Sequence, residues 1–126
     1  MTILNRAAVV QQYAQAWAEP DAAKLGRLLP NFWTPDSTYE DPNTSPPVRG
    51  LAGLIRKIEE YHATSPGAQM LLNSQVEEFN GVGRFHWIQR RADGTTLYGT
   101  DFVEFDAQNH LVRVTGFFNH LPLLQH

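Results

Sequence analysis

The sequence predicts one α+β domain, spanning residues 1–126, in which three N-terminal helices cover a curved antiparallel sheet. Apolar residues recur at helical spacing in three stretches of the first half of the chain. From Gln69 onward, the pattern changes to short alternating segments separated by turn dipeptides. A chain of 126 residues is long enough for one hydrophobic core and too short for two. A sheet that curls over helices encloses a cone, and its inner end is a natural ligand pocket.

The first two helices are predicted to form a hairpin. The first spans about residues 6–18, with Asn5 as its N-cap. Its apolar positions recur at i, i+3, i+4 and i+7, so Tyr13 and Trp17 face the core. The second helix begins at about Asp21 and ends at Pro30, because proline cannot continue a helix.

The stretch from Ser37 to Gly50 is predicted as a short strand, a carboxylate and a rigid proline-rich turn. The ring of Pro42 restricts Asp41 to extended backbone, so Asp41 is expected to point into the space beyond the strand. Trp33 belongs to the connection that leads into this turn. A third amphipathic helix follows, and its apolar face consists of Leu51, Leu54, Ile55, Ile58 and Tyr61.

Four strands are predicted in the second half of the chain, over residues 70–79, 83–91, 95–105 and 111–119. Successive side chains of a strand point to opposite faces. Asp101 therefore shares the apolar face of its strand with Val103 and Phe105. An acid is thus expected inside the cone.

The dipeptide Asp93-Gly94 is interpreted as a two-residue hairpin turn, which sets the register of the two strands beside it. This register places His86 directly opposite Asp101, and a one-residue error would remove the contact. The opposite face then carries four aromatic side chains, an unusual number for a face in water. We therefore expect a homodimer packed through the outer sheet face, which consists of Phe85, Trp87, Tyr98 and Phe102.

Composition excludes several classes of function. A net charge of −3 without a Lys/Arg run gives no reason to expect nucleic acid or an anionic membrane as partner. The absence of cysteine rules out disulfides, thiolate nucleophiles and cysteine-ligated metals. The five histidines show no paired metal-ligand spacing, so no metal is expected. No apolar run has signal-peptide or membrane-spanning length, and a cytoplasmic protein is the expectation.

Three segments resemble ketosteroid isomerase and its SnoaL-like relatives in the nuclear transport factor 2-like superfamily. They are Gln12-Tyr13, the run Tyr39-Glu40-Asp41-Pro42 with the following Pro46-Pro47-Val48-Arg49-Gly50, and Thr100-Asp101-Phe102-Val103-Glu104-Phe105-Asp106. The resemblance extends over about residues 9–121 and implies the cone-shaped, cystatin-like α+β fold of that superfamily.

The resemblance also implies roles for individual residues. Asp41 falls at the position of the general base, Tyr13 at that of the oxyanion-hole phenol, and Asp101 at that of the protonated oxyanion-hole acid. Phe118 falls at a pocket-lining aromatic position. The further pocket-lining residues that we expect are His86, Trp17, Trp33, Val103 and Phe105.

The chemistry of such a trio can be stated from the residues alone. Moving a proton α to a carbonyl needs a base near the carbon and donors for the charge that develops on the oxygen. Apolar neighbours should keep Asp101 neutral by desolvation, whereas Asp41 at the pocket mouth should stay ionised. Together with this chemistry, the resemblance implies a cofactor-independent isomerase or polyketide-cyclase-like enzyme acting on a small apolar carbonyl compound.

Other interpretations of the same residues stay open. Asp41 could only cap a turn, Tyr13 could be a core tyrosine, and Asp101 could make a purely structural hydrogen bond. An ion pair between His86 and Asp101 would instead suit a water-activating dyad, as in an epoxide hydrolase or dehydratase. A third hypothesis is that the protein is a non-catalytic binding or dimerisation module, in which aromatic side chains would fill the cavity. The third helix carries Ile58 where some isomerases have a second tyrosine, which argues against a steroid substrate.

Overall fold

The computed structural model describes residues 3–121 and 123–125, and within them the helices cover one face of a single seven-stranded sheet. The predicted α+β class is confirmed. The helices are α1 (Arg6–Trp17), α2 (Ala22–Leu28), a 3₁₀ turn (Leu29–Asn31) and α3 (Gly50–Thr64). The strands are β1 (Trp33–Asp41), β2 (Thr44–Arg49), β3 (Gln69–Leu72), β4 (Glu77–Phe79), β5 (Val82–Arg90), β6 (Thr96–Phe105) and β7 (Leu111–Phe118). None of the helices in these residues is long and apolar enough to cross a membrane.

The starts of α1 and α2 lie where the capping residues predict them. The Asn5 side chain accepts a hydrogen bond from the Ala8 amide at 2.8 Å, and Asp21 accepts one from the Ala23 amide at 2.9 Å. The α-helical part of α2 ends at Leu28, and Pro30 lies in the 3₁₀ turn that follows. Tyr13 of α1 is buried under the sheet with only 2% of its surface exposed.

The sheet is mixed, whereas we expected it to be antiparallel throughout. Its strand order is β2-β1-β7-β6-β5-β3, with β4 paired to β5 as well, and β1 runs parallel to β7. A hairpin turn forces antiparallel pairing only on strands that follow each other directly in the chain. Most of the domain separates β1 from β7, so no turn constrains the direction in which they pair.

The proline-rich segment after Asp41 is a strand, β2, and the predicted rigid turn is confined to the two residues before it. Pro46 and Pro47 are tolerated because β2 lies at the edge of the sheet, where one side of the strand needs no backbone donors. The predicted strand over residues 70–79 is likewise divided, into β3 and β4.

The hairpin between β5 and β6 has a three-residue loop instead of the predicted two-residue turn. The Arg91 amide donates to the Thr95 carbonyl at 2.9 Å, and Gly94 has a φ of 88°, which glycine adopts without strain. The extra loop residue shifts the register by one, so His86 pairs with Thr100 and Phe85 pairs with Asp101. The register prediction was therefore wrong.

This shift exchanges the two faces of β5. Phe85 and Trp87, which we expected outside, are buried in the core, whereas His86 is exposed on the outer face. Tyr98 and Phe102 of β6 remain on the outer face as predicted, with 52% and 44% of their surfaces exposed.

Candidate active site

A cavity of about 290 Å³ lies between α1, α3 and the inner face of the sheet. It contains all three side chains that we expected to be catalytic. The lining residues that matter for the chemistry are Tyr13, Trp17, Tyr39, Asp41, Asp101 and Phe118. Aromatic and aliphatic groups form most of the wall, as is usual for a site that binds a small organic molecule.

The pairing of three neighbouring strands brings the two acids together at Gly116. Asp101 of β6 pairs directly with Gly116 of β7. On the other side of β7, Glu40 pairs with Thr115, so Asp41 comes beside Gly116 as well. A methyl group placed on Gly116 would lie 2.9 Å from Asp101 Oδ1, 3.5 Å from Asp41 Cβ and 3.6 Å from the Tyr39 hydroxyl. The missing side chain of Gly116 therefore leaves the space in which these groups converge.

The Asp41 carboxylate accepts two hydrogen bonds. The Tyr39 hydroxyl donates to Asp41 Oδ2 at 2.5 Å, and the Asn43 amide donates to Oδ1 at 2.8 Å. Each carboxylate oxygen has a second lone pair, so neither bond prevents Asp41 from accepting a proton. The side chain is half-buried at the wall of the cavity.

Asp101 has a different environment, because only 5% of its surface is exposed and its carboxyl group accepts one hydrogen bond. Burial raises the pKa of its carboxyl from an ordinary value of 3.8 to about 7, and the charge of Asp41 acts in the same direction. The Trp87 indole, whose Nε1 donates to Asp101 Oδ1 at 2.9 Å, opposes this increase. The direction of the change is the one expected for an acid among apolar side chains.

Tyr13 carries a buried hydroxyl that has no hydrogen-bond partner among the described residues. Burial, followed by the charge of Asp101, raises its pKa well above the ordinary value of 10, and the nearby Trp17 indole opposes this increase without forming a hydrogen bond of normal geometry. Tyr13 is therefore a neutral phenol on a residue that lines the cavity. Leaving such a group unsatisfied costs roughly 1–3 kcal/mol, which a ligand oxygen could recover.

Two of the expected aromatic lining residues, Trp17 and Phe118, do line the cavity. Trp33 does not, since it lies behind Tyr13 with the rings stacked 6.3 Å apart and its Nε1 donating to the Gly50 carbonyl at 3.0 Å. Val103 and Phe105 are core residues further along β6 and also lie outside the lining.

His86 lies outside the cavity altogether. It is exposed on the outer face of the sheet, where its Nδ1 shares a hydrogen bond of 2.7 Å with Thr100 Oγ1. The expected contact between His86 and Asp101 was therefore wrong, and so was the water-activating dyad that depended on it.

Three site residues were not found from the sequence: Tyr39, Trp87 and Gly116. Tyr39 precedes Asp41 by two positions and so shares a strand face with it, which the alternation rule could have shown. Trp87 was placed on the wrong face by the register error. The role of Gly116 depends on pairing between strands that are remote in the chain, and no local signal indicates it. Among the described residues, no three histidine or acidic side chains are grouped as a metal site.

The helix-covered sheet has the nuclear transport factor 2-like fold, also described as cystatin-like. The sequence profile of the SnoaL-like domain matches residues 10–114, and the chain belongs to this family. The expected family is confirmed. Among curated proteins, none matches the chain in sequence.

Solved structures share the fold along most of the chain. A "putative isomerase of the SnoaL-like family" from Agrobacterium tumefaciens str. C58 is 25% identical, with 93% of this chain and 100% of that chain covered and a TM-score of 0.83. A "putative ketosteroid isomerase" from Kribbella flavida is 20% identical, with coverages of 96% and 82% and a TM-score of 0.72. A protein with a ketosteroid isomerase-like fold from Catenulispora acidiphila, solved in complex with trimethylamine, is 10% identical, with coverages of 86% and 82% and a TM-score of 0.70.

The free hydroxyl of Tyr13 leads to a prediction on stability. Tyr13→Phe removes a buried group that has no partner, so the free energy of unfolding should stay unchanged or rise by about 1 kcal/mol. Tyr39→Phe is the matched control, because it deletes the hydrogen bond to Asp41 and should lower the free energy by about 1 kcal/mol. Urea unfolding measures both. A clear loss of stability in Tyr13→Phe would show that its hydroxyl has a structural partner.

Proposed function

We propose that this protein is a cofactor-independent enzyme that transfers a proton at the carbon α to a carbonyl group. The chemistry is that of an isomerase or a polyketide cyclase, and the ligand is a small, apolar carbonyl compound. The observation that carries the proposal is the convergence of Asp41, Asp101 and the unpartnered Tyr13 hydroxyl on one largely apolar cavity.

In this mechanism, the Asp41 carboxylate removes the α-proton, the C–H electron pair forms the C=C bond of an enolate, and the carbonyl π pair moves onto the oxygen. The O–H groups of Tyr13 and protonated Asp101 donate to the developing oxyanion. In an isomerisation, Asp41 returns the proton to a different carbon. In a cyclisation, the enolate carbon attacks a second carbonyl of the same molecule, and Asp41 returns the proton to the new alkoxide.

The different environments of the two acids support this assignment of roles. Asp41 is half-buried and accepts two hydrogen bonds, whereas Asp101 is almost fully desolvated and accepts one. A base and an acid that are both carboxyl groups must differ in proton affinity to act together at one pH.

The size of the cavity limits the substrate. A dry cavity of about 150 Å³ is enough to hold benzene. At about 290 Å³, this cavity has room for one or two rings, so a cyclic ketone of that size fits better than a four-ring steroid. The trimethylamine complex of the Catenulispora protein supports a small ligand in a protein of this fold.

The first test is hydrogen–deuterium exchange at the α-carbon of one- and two-ring ketones, followed by NMR in D₂O. Asp41→Asn removes the base and should slow the exchange by roughly a factor of 100 or more. Asp36→Asn is the matched control, because this exposed aspartate lies on the same strand, outside the cavity lining. Exchange that persists unchanged in Asp41→Asn would overturn the proposal and favour a binding module.

The raised pKa of Asp101 leads to a pH prediction. An acid can donate only while it is protonated, so donation is complete only well below pH 7 and is lost as the pH rises through about 7. The exchange rate should then fall by about a factor of ten per pH unit, down to the rate that Tyr13 alone supports. Asp101→Asn keeps an N–H donor that does not titrate, so its exchange rate should show no decline near pH 7. A decline that survives in this variant would assign the titration to another group.

We also propose a homodimer packed through the outer aromatic patch, which we define as Tyr98, Phe102 and Phe117. Each is at least 44% exposed, and Phe102 and Phe117 meet edge to face at 5.9 Å. Exposed aromatic clusters of this kind are typical of protein interfaces. Phe102→Asp should therefore convert the dimer to a monomer in sedimentation velocity, whereas Lys24→Glu on exposed α2 should not. A monomeric wild-type chain would refute the dimer.

A further inference from the structure

Trp87 reaches Asp101 diagonally, from one strand to the next. Trp87 lies on β5 opposite Gly99 of β6, while Asp101 lies two residues further along β6. The indole nevertheless places its Nε1 2.9 Å from Asp101 Oδ1, because the ring occupies the space beside Gly99. A methyl group at Gly99 would lie 1.9 Å from Cζ2 and 2.2 Å from Cε2 of the indole. No residue with a side chain fits at this position while the indole keeps its place.

A second contact holds the indole from the side. Phe118 of β7 pairs with Gly99 and packs edge to face on Trp87, with the ring centroids 6.1 Å apart at an angle of 82°. Gly99 leaves the space that the indole occupies, and Phe118 packs against the ring in its observed orientation. In that orientation its N–H is aimed at the carboxyl group of Asp101 and 9% of the residue is exposed.

The two oxygens of Asp101 are thus not equivalent. Oδ1 accepts the indole N–H and borders the space above Gly116. Oδ2 makes no hydrogen bond with any of the described residues. An indole nitrogen can only donate, so it favours the carboxyl arrangement in which Oδ1 is the acceptor and the acidic proton is on Oδ2.

We propose that Trp87 is a positioning residue that fixes the carboxyl group of Asp101, so that Oδ1 accepts the indole N–H and Oδ2 presents its proton to the ligand oxygen. The effect on the reaction rests on the function proposed above. The positioning itself does not, since it concerns only the proton and the orientation of one carboxyl group.

This role has a signature that simple packing lacks. The indole N–H stabilises the charged form of Asp101, so its removal should raise the pKa of Asp101 further. In a variant without the indole N–H, Asp101 would hold its proton more tightly. Because its carboxyl group would no longer be held in position, Asp101 would also donate that proton less well to the ligand. Ligand binding should weaken, while the pH at which binding is lost should move upward. Loss of packing alone would weaken binding without moving that pH.

The experiment uses the full chain and 2-naphthol, whose ionised oxygen resembles an enolate and whose two rings suit the cavity. Binding is measured by naphthol fluorescence as a function of pH, and the Asp101 carboxyl is titrated by NMR with ¹³C-labelled aspartate. In Trp87→Phe, we expect about tenfold weaker binding at pH 6 and a carboxyl midpoint about one pH unit higher. Gly99→Ala displaces the indole and should move the midpoint in the same direction.

Trp33→Phe is the matched control. Trp33 is also a buried tryptophan with a hydrogen-bonded N–H, but its partner is the Gly50 carbonyl and it does not line the cavity. This variant should leave the Asp101 midpoint unchanged. Replacement of Trp87 by 3-benzothienylalanine, which has sulfur in place of the N–H in a ring of the same shape, removes the donor with minimal change in packing.

An unchanged Asp101 midpoint in the benzothienyl variant would overturn the positioning role, whether or not the protein exchanges ketone protons. If the Asp101 midpoint moves in the benzothienyl variant but the wild-type protein exchanges no ketone protons, the positioning role is supported and the proposed function is refuted. The two hypotheses are therefore tested separately.

Discussion

Burial of the Asp101 carboxyl group in an apolar interior is the constraint on which the rest of the site depends. A buried carboxylate is costly unless it is paired, and the described residues supply no cation to Asp101. The group therefore shifts toward its neutral form and keeps one hydrogen bond. Gly99 and Gly116 are glycines for the same reason, since one admits the indole that donates this bond and the other leaves room beside the carboxyl oxygen.

Asp41 shows how a second carboxyl group can behave differently a short distance away. The parallel pairing of β1 with β7 places it on the far side of Gly116 from Asp101. It is half-buried, and both of its oxygens accept hydrogen bonds, so its charge is compensated where that of Asp101 is not. The charge of Asp41 in turn makes ionisation of Asp101 less favourable. The charge of Asp41 thus helps to keep Asp101 neutral.

The structural features that the sequence predicts correctly are those that depend on residues close together in the chain. The helix caps at Asn5 and Asp21 depend on a few adjacent residues, and the placement of Asp101 on the inner face follows from alternation within one strand. Register is different, because it depends on the loop length of a hairpin. One extra residue in the loop before Thr95 was enough to reverse both faces of β5 and to exchange His86 for Trp87 inside the cavity. The parallel β1–β7 pair and the role of Gly116 are set by contacts across the whole domain, which no local pattern encodes.

The distribution of unsatisfied polar groups gives an independent reason to regard the cavity as functional. Outside the cavity lining the pattern is mixed: the buried Ser37 hydroxyl donates to the Leu111 carbonyl at 2.6 Å, whereas Thr44 Oγ1 has no partner among the described residues. Of the four buried side-chain polar atoms without a partner in the described residues, two are the hydroxyls of Tyr13 and Tyr61, and both residues line this cavity. Stability alone would favour phenylalanine at both positions, because an unpaired buried hydroxyl destabilises the folded state. These hydroxyls are explained if their partner is a polar atom of a bound ligand, which the folded chain by itself does not provide.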